Sequence, residues 1–312
     1  MTALIADPIS REHHTGQDHP ERPARFDAAL QALEGLDLLR LAARLATEDE
    51  LALCHSRRYI RTAEREVFEG HGELSTGDTV ISARSFDAAC TAAGAVMNAI
   101  DSVVNGAASN AFCLSRPPGH HATPDRGMGF CLFNNIAVGA RYAQKKHGIG
   151  RVLIADWDVH HGNGTQDIFY DDGSVFFFST HQYPWYPGTG AADETGYAHG
   201  EGWTLNCPFP AGSGRKEIVG AFQDKLFPAM ETVKPELVLI SAGFDSRQGD
   251  PLGNFLLTDQ DFRDLTFSLR EIADKYAKGR VVSVLEGGYS LSGLASATRA
   301  HVEALSGAGP VS

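Results

Sequence analysis

Asp156-Trp157-Asp158-Val159-His160-His161-Gly162-Asn163-Gly164-Thr165-Gln166 follows directly on the apolar run Arg151-Val152-Leu153-Ile154-Ala155. Carboxylate oxygens and imidazole nitrogens bind divalent ions, so this composition points to metal chemistry. The run before it has the β-branched character of a strand buried on both faces, as in a parallel sheet. Active sites in such sheets gather at the carboxyl ends of strands. In an extended segment residues i and i+2 point the same way, so Asp158 and His160 are expected to share a face, with Asp156 deeper on it. An isolated Asp-x-His is more often a capped loop. The metal reading therefore needs donors from other strands.

Three further segments supply them. Leu237-Val238-Leu239-Ile240-Ser241-Ala242 reads as a buried strand and runs into Gly243-Phe244-Asp245-Ser246 before the turn formers Gly249-Asp250-Pro251. Asp245 is thus a third candidate ligand. Arg280-Val281-Val282-Ser283-Val284-Leu285 ends in Glu286-Gly287-Gly288-Tyr289, where two glycines free the backbone to aim a phenol at a pocket. Asn110-Ala111-Phe112-Cys113-Leu114-Ser115 exits into Arg116-Pro117-Pro118-Gly119-His120-His121, a tandem histidine pair on a proline-glycine turn. Catalytic zinc takes three protein ligands and keeps one position open, a count that Asp158, His160 and Asp245 meet. Two carboxylates and one imidazole also admit iron(II), cobalt or manganese. Zinc is the expectation.

These blocks resemble the signatures of the histone deacetylase superfamily, nearest to its class II branch and the bacterial histone deacetylase-like amidohydrolases. The resemblance rests on Arg116 to Ala122, Asp156 to Gln166, Ser241 to Asp245 and Glu286 to Tyr289, in that order, with His19-Pro20-Glu21-Arg22-Pro23 ahead of them. It implies an arginase/deacetylase type of fold, one open and mostly parallel α/β sheet flanked by helices. It also implies a catalytic zinc on Asp158, His160 and Asp245. His121 then matches the general base and acid, His120 its electrostatic partner, and Tyr289 the donor to the substrate carbonyl. Asp156 resembles the carboxylate behind His120. Asn163 stands where other branches place an aspartate behind the second histidine, which predicts a less basic His121 than in those branches.

The same resemblance places Phe130 and Tyr186 on either side of a substrate channel and gives the Gly129 carbonyl to the scissile amide N–H. Asp78 matches a rim acid that holds the substrate backbone in some branches. It further implies a potassium ion among Asp156, Asp158, His160, Ser179 and Thr180. The acetylpolyamine branch often carries a glutamate after Gly-Asp-Pro, where this chain has Leu252. The implied activity is zinc-dependent hydrolysis of a linear acyl amide, foremost acetyl-lysine in a peptide or protein. The alternatives are deacetylation of acetylpolyamines or other small amides, and a non-catalytic acyl-lysine binder. Intact Tyr289, His121 and ligands count against the binder. Arginase-like chemistry would want a second metal-binding carboxylate beside Asp245, and Phe244 and Ser246 supply none.

The wider chain is consistent with this. Its 312 residues, 43% hydrophobic, suffice for one large α/β core, and residues 1–312 read as a single deacetylase-like catalytic domain. A formal net charge of −12 argues against nucleic acid as a partner and suits a cationic substrate. The five cysteines form no C-x-x-C pair, which points to free thiols in a reducing compartment. Met1 to Ser10 lacks the basic and apolar regions of a signal peptide, and no apolar run approaches the ~20 residues of a membrane helix. A cytoplasmic protein without a membrane partner is expected. Helical spacing predicts helices over residues 21–46, 81–104, 131–147 and 215–233, and another from a Thr258 cap.

Overall fold

The structure, a computed structural model, describes residues 1–307. Eight strands are found among them: β1 (Thr2–Ile5), β2 (Leu39–Leu41), β3 (Asn110–Cys113), β4 (Val152–Asp156), β5 (Val175–Gln182), β6 (Thr204–Phe209), β7 (Leu237–Ala242) and β8 (Val281–Leu285). They form one sheet in the order β2-β1-β3-β8-β7-β4-β5-β6, and every pairing is parallel. Parallel strands need crossovers that lay helices on the sheet faces, and this explains why the central strands are buried at every position and mostly apolar. Ile154, Phe177, Leu239 and Val282 enter the core on one face, and Leu153, Phe178, Ile240 and Val281 the core on the other. Helices Ser85–Val104 and Asn135–His147 cover the first face. Helices Ala24–Ala32, Asp259–Tyr276 and Leu291–Leu305 cover the second.

The order of the strands carries the functional consequence. β3, β8, β7 and β4 are immediate neighbours in the sheet although they lie far apart in the chain. Because all run the same way, their exits open at one end, and the four chemistry-bearing blocks meet there. The chain order reverses across this stretch, the place where open parallel sheets form their clefts.

Several boundaries differ from the sequence expectation, each for a local reason. Four strands, β1, β2, β5 and β6, are additional to those read from the sequence. The segment 21–46 is helical only over Ala24–Ala32, then turns through Gly35 at φ 81° and enters β2 at the sheet edge. The helix expected from Cys131 begins at Asn135, capped by the Asn134 side chain, which accepts from the Ala137 N–H at 3.1 Å. Ahead of it, the carbonyls of Cys131 and Leu132 accept instead from Thr79 and Tyr59 hydroxyls. The helix expected over 215–233 is interrupted by a π turn at Phe222–Leu226. Pro228 lies just beyond it; lacking an N–H and bulky against the preceding turn, it favours such a widening.

Candidate active site

β4 ends at Asp156, so Asp158 and His160 sit in a loop and not on an extended strand. What aligns them is a chain of local hydrogen bonds in place of strand alternation. The Asp158 N–H donates to Asp156 Oδ1 at 3.0 Å, and the His160 N–H donates to Asp158 Oδ1 at 2.9 Å. Asp245 joins them from the β7 exit, its Oδ1 accepting from the Val159 N–H at 2.9 Å. Asp158 Oδ2 accepts from the Gly287 N–H at 2.8 Å, which ties the β8 exit to the same point. Gly287 approaches so closely that a side chain there would collide with both Asp245 and Asp158.

One donor atom each from Asp158, His160 and Asp245 falls within 4.8 Å of the others, and all three residues are buried. His160 Nδ1 lies 3.0 Å from Asp158 Oδ1 and 3.2 Å from Asp245 Oδ2. Asp245 Oδ2 is buried without a hydrogen-bond partner. Burial and the Asp158 charge push the Asp245 carboxyl up to about 7. Burial opposes charge on His160, yet Asp158 and Asp245 outweigh it and push the imidazole up to about 10. Two buried carboxylates with an orphaned oxygen between them call for positive charge. The donor set fits one divalent cation.

The tandem histidines lie beside this triad, their rings 4.0 Å apart between centroids. His120 Nδ1 faces Asp156 Oδ2 at 2.9 Å, whereas His121 Nδ1 faces the neutral Asn163 Oδ1 at 2.8 Å. Burial works against charge on both. For His120 the carboxylates of Asp156 and Asp158 prevail and push it up to about 10. For His121 burial is joined by the charges of His120 and His160, and it is held well below the ordinary histidine range. The two adjacent imidazoles are thus displaced in opposite directions, His120 toward the charged form and His121 toward the neutral one.

A cavity of about 270 Å³ opens over these groups. Its lining runs from nearly buried residues, His121 at 3%, His160 at 8% and Tyr289 at 9% exposure, to Trp185 at 43% and Tyr186 at 36%. Phe130 and Tyr186 are its aromatic walls; the Phe130 ring lies 6.0 Å from Tyr289 and that of Tyr186 lies 5.2 Å from His121. Phe130 holds a left-handed φ of 68°, and Gly129 before it is also left-handed at 57°, where a side chain would strike the His121 ring. The Gly129 carbonyl accepts from Cys131 Sγ at 3.3 Å and keeps a second lone pair. Asp78 lies at the exposed margin, its Oδ1 accepting from the Gly129 N–H at 2.7 Å and from the Tyr186 hydroxyl at 3.4 Å. Leu252 lines the mouth, where its carbonyl accepts from Trp185 Nε1 at 3.0 Å. Ser179 and Thr180, on β5, are buried; Ser179 Oγ is 2.9 Å from His181 Nδ1, and Thr180 Oγ1 has no hydrogen-bond partner.

Three residues at the site carry no role in the sequence reading. Glu286 Oε2 accepts from the N–H groups of Gly119 at 2.6 Å and His120 at 3.1 Å, holding the histidine turn. Arg25 donates to the carbonyls of Gly288 and Glu286, each at 2.6 Å, with its guanidinium 4.9 Å from the Tyr289 ring centroid. Asp250 accepts from the Tyr289 N–H at 2.7 Å. A charged residue closing an apolar strand, as Glu286 does, was the available signal. Nothing in the sequence brings Arg25 to Tyr289, 264 positions away in the chain.

An open parallel sheet whose central exits converge on an acid-imidazole triad, a histidine pair and a phenol defines the arginase/deacetylase class of fold. The chain belongs to the histone deacetylase family: the family model for the histone deacetylase domain matches residues 19–305. It is 43% identical to Histone deacetylase 10, chloroplastic, of Oryza sativa, over 91% of this chain and 68% of that one. It is 40% identical to the Histone deacetylase-like amidohydrolase of Pseudomonas aeruginosa, over 87% of this chain and 73% of that one. It is also 43% identical to the human Polyamine deacetylase HDAC10, over 92% of this chain but 44% of that protein. The crystal structure of the HDA15 HD domain superposes with a TM-score of 0.93 at 38% identity, covering 98% of this chain and 88% of that one. Among the described residues no helix is long and apolar enough to cross a membrane.

Proposed function

We propose that residues 1–312 form one catalytic domain that hydrolyses acylated amines, foremost acetyl-lysine side chains, with a zinc ion held by Asp158, His160 and Asp245. The observation that carries this reading is the convergence of those three donors beneath a narrow aromatic cleft that also holds His121 and Tyr289. When bound, the ion supplies polarisation of an acyl carbonyl and a water whose pKa is lowered to ~7.

The chain's own residues do the rest. Phe130 and Tyr186 grip the aliphatic stem of the lysine and exclude water from it. Gly129 offers its free carbonyl lone pair to the amide N–H. Asn163 Oδ1 keeps the His121 proton on Nδ1, leaving Nε2 as the base that takes a proton from the attacking water. As water oxygen bonds to the acyl carbon, the Tyr289 hydroxyl donates to the oxygen that gains charge, a contact stronger in the transition state than before it. His121 then passes its proton to nitrogen as the carbon–nitrogen bond breaks, so the amine leaves neutral. His120, charged and paired with Asp156, keeps His121 from holding that proton in the resting state.

Potassium among Asp156, Asp158, His160, Ser179 and Thr180 belongs to the same proposal, supported by the unpartnered Thr180 Oγ1. Acetylpolyamines form a second substrate reading, favoured by the likeness to the human polyamine deacetylase and opposed by apolar Leu252 at the mouth. A panel of acetyl-lysine peptides, acetylpolyamines and longer acyl amides, assayed with metal analysis and with Asp158→Ala as control, tests these readings. Turnover of acetyl-lysine that persists in Asp158→Ala after metal is stripped would refute the mechanism. Tight binding of acyl-lysine without turnover would identify a binder.

A further inference from the structure

Asp250 lies on the loop that brings Leu252 to the cavity, two residues before it, and its side chain reaches across to the loop that carries Tyr289. Its Oδ2 accepts from the backbone N–H groups of Tyr289 at 2.7 Å and Ser290 at 3.0 Å, and its Oδ1 accepts from the N–H of Leu252 at 3.0 Å. The residue is 9% exposed. Three N–H donors approaching from two directions match a carboxylate, which accepts at both oxygens; a side-chain amide accepts at only one end.

The Tyr289 loop needs such a restraint. Tyr289 follows Gly287 and Gly288, the latter at φ 118°, so the backbone before it has little preference of its own. Arg25 fixes the loop from one side through the Gly288 carbonyl. On the other side Asp250 fixes the Tyr289 amide itself. Displacing a reacting group by about 1 Å can cost ~10²-fold in rate.

We propose that Asp250 is a positioning residue for acyl-amide hydrolysis, locking the Tyr289 phenol and the Leu252 wall in a single register. The inference rests on the role given to Tyr289 above. Leu252 faces the bound substrate and Tyr289 the developing oxyanion, so the two carboxylate oxygens serve separable parameters. Oδ1 governs KM through the wall, and Oδ2 governs kcat through the phenol.

The test compares Asp250→Ala and Asp250→Asn, each alone and combined with Tyr289→Phe, for kcat and KM on an acetyl-lysine peptide, together with zinc content and thermal midpoint. Asp250→Ala is expected to lose ~10–100-fold in kcat, with less than about threefold further loss once Tyr289→Phe is present, because both act through one hydroxyl. Asp250→Asn can keep its oxygen toward Tyr289 and Ser290 while its NH2 opposes the Leu252 N–H, so KM rises several-fold and kcat stays within about threefold. Multiplying losses in the double variant, an unchanged KM in Asp250→Asn, or loss of zinc from either variant would overturn the proposal. Should Asp250→Ala not fold, the KM of Asp250→Asn decides alone. Near-normal turnover in Tyr289→Phe sinks the functional reading itself; impaired Tyr289→Phe beside intact Asp250→Ala sinks only this inference.

Discussion

His121 Nδ1 meets Asn163 Oδ1 at 2.8 Å, so this cavity-lining imidazole is backed by a neutral amide and not by a carboxylate. A carboxylate in that place would stabilise imidazolium. Below its pKa His121 already carries the proton that it must take from water, and activity falls. Asn163→Asp raises that pKa and moves the acidic limb of the kcat/KM profile to higher pH. Profiles of the two proteins that overlay on the acidic side would remove His121 as the base.

Tyr289 is 9% exposed, and burial holds its hydroxyl protonated, well above the ordinary tyrosine range. A phenol that stays protonated is a hydrogen-bond donor throughout the working pH. Tyr289→Phe deletes the donor and keeps the ring that packs near Phe130 and Arg25. The expected loss is ~10²–10³ in kcat, with the thermal midpoint little changed. Equal turnover by the two proteins would leave Tyr289 as packing alone.

The four chemistry-bearing blocks are legible in the sequence because each follows an apolar run with an abrupt cluster of acids, imidazoles or glycines. Their convergence is less legible. Nothing local says that β3 and β4 bracket β8 and β7; that is a property of the crossovers. The pairing of Asp158 with His160 is visible, but its cause is a loop ladder from Asp156, not the alternation of a strand. β5 carries Phe176, Phe177 and Phe178 in succession, with no periodicity to separate strand from buried helix. Asp250 lies in a Gly-Asp-Pro turn where aspartate is ordinary. Only the fold shows that its Oδ2 reaches the Tyr289 N–H.

Asp158 and Asp245 bury two carboxylates around one imidazole, and Asp245 Oδ2 lacks a partner. An ion that binds this folded triad and not the unfolded chain adds stability by mass action, ~2.7 kcal/mol when its concentration is a hundred times Kd. In a chain of this size that raises the thermal midpoint by roughly 5 °C. Chelation followed by zinc titration should trace the rise, and Asp158→Ala should abolish it. A midpoint indifferent to zinc in the parent protein would dissolve the metal site.

Three histidines remote from the triad are held neutral by burial: His13 and His55 are each lowered to about 4, and His301 to about 3. His55 shows why geometrically. Its Nδ1 donates to the Thr123 carbonyl at 2.9 Å and its Nε2 accepts from the Asn134 N–H at 2.9 Å, so a second ring proton would displace a partner. In the unfolded chain these rings protonate near 6.5. Between pH 6.5 and about 4 the unfolded state therefore binds more protons, and stability rises with pH. Their contribution is complete above pH 6.5 and is lost as pH falls toward 4. Glu21, lowered to about 2 because Arg116 and Arg25 overcome its burial, extends the loss from the ordinary carboxylate range down to that value. Asp245, raised to about 7, acts in the opposite sense over the same range, so the histidine share is read as a difference: the thermal midpoint of His55→Gln, whose amide can both donate and accept, should fall less between pH 6.5 and 4 than that of the parent. An equal slope in His55→Gln would show that its proton plays no part in acid unfolding.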